Sequence, residues 1–291
     1  MKDLRLRKSA KKDSMRIEEL VEEYNFQRVP LPEGKSKEEE LICQKAVDEK
    51  GNIIGGCNGY AYPWGCVYID TLWVDEKFRG KDIGSAIIEA VEKTAKEKGL
   101  YISFLDTGDF QARPFYEKHG YTLFSTYTEV GGHEDYMLFK RLDREEQKEK
   151  PAEIDYKIED GSEEDAEYLD DQLGEFCKEF VPRKHDYIKI NRKFVDGGGK
   201  VVAAIMAGVQ SWDAGAIWNI WVDEEYRGQG LGTALLKHYE KKAKENGANT
   251  VVIEQVYDWN VDFFVKAGYK ITGAMKDFPK GHSYYALQKF L

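Results

Sequence analysis

The sequence predicts a mixed-sheet α/β (α+β) protein built as two tandem copies of one domain. Three observations carry this. The stretch Arg227-Gly228-Gln229-Gly230-Leu231-Gly232 lies between a strand pattern ending Trp221-Val222-Asp223 and a helical pattern beginning at Thr233. A second version, Arg79-Gly80-Lys81-Asp82-Ile83-Gly84, occupies the same context earlier in the chain. The order of strands and helices around both is the same. A strand, a Gly-rich turn and a helix start together bring backbone N–H groups and the positive end of a helix dipole onto one anion. The glycines allow close approach and positive φ. Such a turn suits a phosphate-bearing ligand.

In chain order, apolar residues at Ile17, Leu20, Val21 and Tyr24 have helical spacing over residues 15–27, which Pro30 and Pro32 end. Strand-like runs follow at Leu41 to Val47, Ile53 to Tyr62 and Val67 to Val74, the first two joined by a turn at Asp48 to Asn52. An amphipathic helix from Ile83 to Lys98 closes at Gly99, and a strand runs from Tyr101 to Asp106. A short helix is expected from Ala112 to His119, then a strand pair around Tyr121 to Tyr127 and Tyr136 to Leu142. Asp143 to Lys150 holds seven charges in eight residues and Pro151 follows, which reads as a linker. Beyond it come a helix around Glu164 to Phe180, strands from Tyr187 to Phe194 and Lys200 to Val209, and the strand into the second Gly-rich turn.

An offset of 148 aligns the halves, with Trp73 on Trp221, Arg79 on Arg227, Gly84 on Gly232, Phe115 on Phe263 and Gly120 on Gly268. From residue 73 to 99, 14 of 27 positions are identical, too many for two unrelated amphipathic helices. The expected division is residues 1–143, a linker at 144–151, and residues 152–291. The offset becomes 149 near Gly132-His133 and Gly281-His282, and 152 at Val29-Pro30 and Val181-Pro182. Length differences at those two places fit different acceptor pockets in the two halves.

With 291 residues, 42% of them hydrophobic, each half can bury a core. The formal net charge of −10 argues against nucleic-acid binding and favours cationic partners. Met1 to Ser14 carries six Lys/Arg against two Asp without an apolar core, so it is read as a basic, partly frayed tail and no secretory signal. The longest apolar run, Val201 to Val209, is nine residues, too short for a membrane-spanning helix. Cys43, Cys57, Cys66 and Cys177 are scattered, with neither a disulfide framework nor metal-ligand spacing. Buried thiols in a reducing, cytoplasmic setting are expected, with no metal, no membrane and no nucleic-acid partner. The sequence leaves the oligomeric state open.

At Arg227 to Gly232 the chain resembles motif A of the GNAT acyltransferase superfamily. The resemblance extends through both halves, and Phe115-Tyr116-Glu117-Lys118-His119-Gly120-Tyr121 is similar to the family's motif B. It implies two tandem GNAT-type acyl-CoA N-acyltransferase domains, each with a sheet that splays apart around acetyl-CoA. The implied cosubstrate-binding residues are Val222, Arg227, Gly228, Gln229, Gly230, Leu231, Gly232, Thr233 and Asn260 in one half. In the other they are Val74, Arg79, Gly80, Lys81, Asp82, Gly84 and Ser85. A Rossmann site competes, but it needs its glycines after the first strand of a βαβ unit, whereas here several antiparallel-looking strands precede them.

The halves are not equivalent. Asp82 stands where the other half has Gly230, and a carboxylate about 5 Å from a phosphate lowers affinity by roughly a hundredfold before screening. Asp tolerates left-handed backbone better than most residues, so the turn can keep its shape. The resemblance assigns Tyr116 the protonation of the departing thiolate and Asp70 the role of base. Their counterparts Phe264 and Trp218 can do neither. Core packing is the alternative for Tyr116, and solvent exposure for Asp70. The expected activity is acetyl transfer from acetyl-CoA to a primary amine of a small cationic metabolite or antibiotic. Alternatives are a CoA-binding regulatory or scaffold module with one degenerate domain, and acetylation of protein lysines or N-termini.

Overall fold

A computed structural model describes residues 4–31, 37–128, 133–144 and 154–291. Residues 145–151 of the expected linker, and Pro32, lie outside the described residues. The elements of the first half are β1 (Arg5–Lys8), α1 (Lys11–Arg28), β2 (Glu40–Val47), β3 (Ile53–Tyr62), β4 (Cys66–Val74), α2 (Ile83–Glu97), β5 (Ile102–Gly108), α3 (Arg113–Lys118), β6 (Thr122–Thr128) and β7 (Glu134–Arg141). The second half contributes β8 (Lys157–Asp160), α4 (Glu163–Phe180), β9 (Ile188–Lys189), β10 (Arg192–Val195), β11 (Val201–Val209), β12 (Ala214–Val222), α5 (Leu231–Glu245), β13 (Thr250–Tyr257), α6 (Val261–Lys266), β14 (Lys270–Lys276) and β15 (Ser283–Phe290).

Two mixed sheets result, of order β6-β7-β5-β4-β3-β2-β8 and β14-β15-β13-β12-β11-β10-β1, with β9 added on β11. The strand orders correspond position for position, as a duplicated α/β chain requires. Their edges, however, are exchanged. The first strand of the chain pairs with β10 (Arg5 opposite Val195, Lys8 opposite Arg192), while β8 pairs with β2 (Lys157 opposite Val47, Asp160 opposite Gln44). Each edge strand brings the helix that follows it. The compact units are therefore discontinuous. One, called here the C-terminal unit, takes Met1–Pro30, Tyr127–Glu134 and Arg183–Leu291, and the N-terminal unit takes Leu31–Thr126 and Asp135–Pro182. The first strand and helix of each sequence half thus belong to the unit formed mainly by the other half.

This corrects the reading of Met1 to Ser14 as a frayed tail. Residues 5–8 are a strand and α1 already begins at Lys11. Asp13 is what orders the start of the helix. Its Oδ2 accepts from the Ala10 backbone N–H at 2.6 Å and pairs with Lys193 Nζ on β10 at 2.7 Å. The equivalent in the N-terminal unit is Asp165, which accepts from the Ser162 backbone N–H at 2.7 Å and pairs with Lys45 on β2 at 2.8 Å. The expected strand from Tyr187 to Phe194 is also corrected to two short strands, β9 and β10. At the break Asn191 turns inward, its Oδ1 accepting from the Ala207 N–H at 3.0 Å and its Nδ2 donating to Ser14 Oγ at 3.0 Å.

The cores are separate. Ile54, Ile69, Ile87, Val91, Leu105 and Leu138 are central to one, and Ile205, Leu235, Leu236, Tyr239, Val251 and Leu287 to the other. Helix α4 packs on β3 through fully buried Leu169, and a Cβ on Gly56 would come within 2.5 Å of that side chain. Gly56 is thus small because the helix approaches the strand so closely. An ion pair ties the central helix to the penultimate sheet strand in both units, buried Glu92 to Lys140 at 2.8 Å and half-buried Glu240 to Lys289 at 2.9 Å. The first is 7–8% exposed. Removing one partner strands a buried charge, so Lys140→Met is expected to destabilise the N-terminal unit by about 3–5 kcal/mol. The double replacement with Glu92→Leu should recover most of that loss in denaturant unfolding.

Candidate active site

Each unit opens its sheet at the same place. The parallel pair β4–β5 ends at Ile69 opposite Leu105, and β12–β13 ends at Ala216 opposite Val252, after which the strands part. Immediately beyond lies a β-bulge. On β3–β4 the register passes from Gly59 opposite Ile69 to Asn58 opposite Thr71, which leaves Asp70 as the extra residue. On β11–β12 the extra residue is Trp218, between Ile217 and Asn219. A bulge bends its strand and re-aims a side chain, and here it gives one unit a carboxylate and the other an indole.

The Gly-rich turns have the same backbone. Gly80 and Gly228 have φ of 74° and 73°. Asp82 and Gly230, which cap α2 and α5, have φ of 57° and 82°. Asp82 therefore adopts the left-handed conformation that the turn demands. The aromatic start of α3 or α6 lies against the helix at Gly84 and Gly232, where an added Cβ would be in ordinary contact with the Phe115 ring at 3.5 Å and in tight contact with the Phe263 ring at 3.3 Å. The arginines are held alike. Arg79 Nε donates to the Val74 carbonyl at 3.0 Å and its guanidinium lies over the Phe176 ring at 5.3 Å. Arg227 Nε donates to the Val222 carbonyl at 3.1 Å and lies over Tyr24 at 4.8 Å. Both rings belong to exchanged helices.

In the N-terminal unit a cavity of about 530 Å³ is lined by Val74, Arg79, Gly80, Asp82, Gly84 and Ser85 together with Asp70, Asp106 and Tyr116. Lys81 is not on the lining, and its Nζ lies 5.0 Å from the Phe78 ring. Ser85 Oγ is 3.0 Å from His119 Nε2. In the C-terminal unit a cavity of about 470 Å³ is lined by Val222, Arg227, Gly228, Gly230, Leu231, Gly232, Thr233 and Asn260, with Val21, Tyr24 and Asn25 from α1. Gln229 turns back, donating to the Glu225 carbonyl at 3.1 Å. Asn260 corresponds to Ala112. The adjacent Gln111 is occupied with the β5–α3 turn, where its Oε1 accepts from Thr107 Oγ1 at 3.0 Å and the Gly108 N–H at 2.7 Å.

Asp70 and Asp106 are both exposed through the cavity mouth. Protein packed around them still strips away much of the water that would stabilise their charge. Burial, with the charges of Asp170 and Asp106 secondary, pushes Asp70 up to about 6. Burial also raises Asp106, partly countered by the Tyr68 hydroxyl that donates to it. Tyr116 is 7% exposed and its hydroxyl makes no hydrogen bond among the described residues. Burial above all, then the neighbouring Cys57 and Asp106, pushes its phenol well above the usual range and keeps it protonated. The site thus pairs a carboxylate able to accept a proton near neutrality with a phenol that holds one.

The sequence reading missed Asp106, Asp170 and the aromatic caps Tyr24 and Phe176. Asp106 lay inside a correctly expected strand, but only the parting of β4 and β5 turns it toward the cavity. The other three depend on which helix packs on which sheet.

The family described as acetyltransferase (GNAT) family matches this chain twice, over residues 9–121 and 142–269. The chain is 34% identical over 119 residues to the blasticidin-S acetyltransferase of Streptomyces morookaense, covering 40% of this chain and 85% of that protein. An acetyltransferase of Agrobacterium fabrum is 28% identical over 99 residues, which cover 34% of this chain and 68% of the relative. Among solved structures, an acetyltransferase from Bacillus cereus aligns with 33% identity and a TM-score of 0.40, covering 46% of this chain and 95% of its own.

Proposed function

This chain belongs to the GNAT acetyltransferase family and is an N-acetyltransferase, and we propose that its N-terminal unit transfers acetyl from acetyl-CoA to a primary amine of a small cationic molecule. The observation that carries this is the convergence of Asp70 and Tyr116 on one cavity with the Arg79 to Gly84 turn. The pyrophosphate of CoA would sit on the turn, where N–H groups and the α2 dipole favour anions. The parted ends of β4 and β5 would admit the pantetheine arm and thioester.

An incoming ammonium gives one proton to the Asp70 carboxylate and so to solvent, leaving a neutral amine. That amine attacks the thioester carbonyl, the C–N bond forms and the C–S bond breaks. Tyr116 supplies a proton to the departing thiolate, and the proton that the attacking nitrogen loses as it becomes the amide returns to the Tyr116 phenolate. Holding amine and thioester together contributes most, since effective molarities reach about 10⁵–10⁸ M for well-oriented groups. The blasticidin-S relative and the acidic cavity both support a small cationic acceptor over a protein lysine or N-terminus. The reading is tested by calorimetry with acetyl-CoA and by release of free CoA thiol against a panel of amines. No binding in either unit together with no thiol release would overturn it.

The C-terminal unit supports a second role, binding CoA without efficient transfer, because its turn has Gly230 and its cavity Asn260 while Trp218 and Phe264 offer neither a base nor an acid for the reaction. Its turn should be the better anion cradle. Asp82→Gly is expected to tighten CoA in the N-terminal unit about tenfold, the bare Coulomb effect being reduced by the exposure of Asp82. Gly230→Asp should weaken the C-terminal site by a similar factor. Two-site titration calorimetry of each variant would show both changes, and equal affinities throughout would refute the assignment.

A further inference from the structure

The unit whose Gly-rich turn carries Asp82 also carries an imidazole beside that turn. Ser85 is the third residue of α2, is 8% exposed and lines the N-terminal cavity. The Ala86 N–H goes to the Asp82 carbonyl at 3.0 Å, so those of Ile83, Gly84 and Ser85 have no acceptor within the helix. The Ser85 hydroxyl belongs to the same helix turn and meets His119 Nε2 at 3.0 Å. His119 closes α3 and is half-buried, its ring 4.5 Å from that of Phe115, which itself packs at Gly84. The start of α2 and the aromatic start of α3 together hold the imidazole against the serine.

A hydroxyl has one hydrogen and two lone pairs. If Nε2 accepts that hydrogen, Ser85 has only lone pairs left for the cavity, and these repel an anion. If Nε2 carries a proton, in the neutral ring or the charged one, the ring donates to Ser85 and the hydroxyl hydrogen is free to point at a bound phosphate. An anion on the turn selects the second arrangement, because a hydrogen bond to a charged group is stronger than one between neutral partners. The matching residues of the C-terminal unit are Thr233 and Ala267. There the hydroxyl has no imidazole behind it, and the turn has glycine in place of the carboxylate.

Resting on the acetyl-transfer reading, we propose that His119 is a positioning residue for the cosubstrate. By donating from Nε2 to Ser85 it turns the serine hydroxyl toward the pyrophosphate of CoA, which restores part of the affinity that Asp82 removes.

The test uses the full chain with one fixed amine and free thiol as readout, comparing acetyl-CoA with S-acetylpantetheine, which keeps the thioester arm and lacks the pyrophosphate. His119→Ala introduces the residue that the other unit has at this place. It is expected to raise KM for acetyl-CoA roughly tenfold with kcat little changed, and to lower the preference for acetyl-CoA over S-acetylpantetheine in kcat/KM by about the same factor. His119→Gln, whose amide can donate to Ser85, should recover most of the loss. Ser85→Ala should cost at least as much as His119→Ala, and the double variant little more than Ser85→Ala alone, since the histidine acts through the hydroxyl. Thermal unfolding confirms that each variant is folded. An unchanged preference for acetyl-CoA in His119→Ala, or losses that simply add in the double variant, would overturn the inference and leave acetyl transfer intact. Failure of every amine to release thiol with the wild-type chain would instead overturn the acetyl-transfer reading itself.

Discussion

Tyr116→Phe is expected to lower kcat about 10²- to 10⁴-fold, the range of a general acid, with little change in CoA affinity or stability. The duplicated half supplies the control for folding. Phe264 occupies the matching place at 5% exposure. It packs edge-on against Phe263 at 5.0 Å and Tyr269 at 5.8 Å, as Tyr116 packs against Phe115 at 5.3 Å and Tyr121 at 5.8 Å. The fold therefore accommodates phenylalanine in this setting, and any loss of turnover reports the hydroxyl. If Tyr116→Phe retained full activity, the tyrosine would be a packing residue and another group would have to protonate the thiolate.

Asp70→Asn is expected to cost a similar factor, about 10²- to 10⁴-fold in kcat/KM near neutral pH, and to change the shape of the pH profile. Asp70 must be ionised to take a proton. Because its site holds it at about 6, above the ordinary carboxylate range, wild-type kcat/KM should fall as pH drops through about 6 and be level above it until other groups titrate. The asparagine variant should lose that acid limb. An acid limb unchanged in position in Asp70→Asn would assign it to a different group. Asp106, the other carboxylate on the cavity, would then be the base to test.

The two halves differ in the residues at the matching cavity. The C-terminal unit keeps an uncharged turn and Asn260, and the N-terminal unit keeps the carboxylate and the phenol. The left-handed backbone of Asp82 reconciles these facts, because the N-terminal turn retains its shape and changes only its charge.

The repeat, the strand-turn-helix at each Gly-rich loop and most element positions were legible in the sequence because they rest on local chemistry. Positive φ at glycine, alternating or helical apolar spacing, and caps are written within a few residues of where they act. Asp70 and Tyr116 were singled out through the motifs beside them, and the structure lines one cavity with both. The exchange of edge elements was not, and the duplication itself explains why. Asp13 and Asp165 offer the same carboxylate to Lys193 and Lys45, and Tyr24 and Phe176 offer equivalent rings to Arg227 and Arg79. A short strand such as Arg5–Lys8 or Lys157–Asp160 has no long apolar alternation to specify its register. Either sheet edge presents the same complementary groups to either strand and helix. Sequence alone thus determined the parts and their kinship, while tertiary structure decided which helix serves which site. With that choice it brought Asp170 against Thr71, the neighbour of Asp70, and the parting of β4 from β5 brought Asp106 to the cavity.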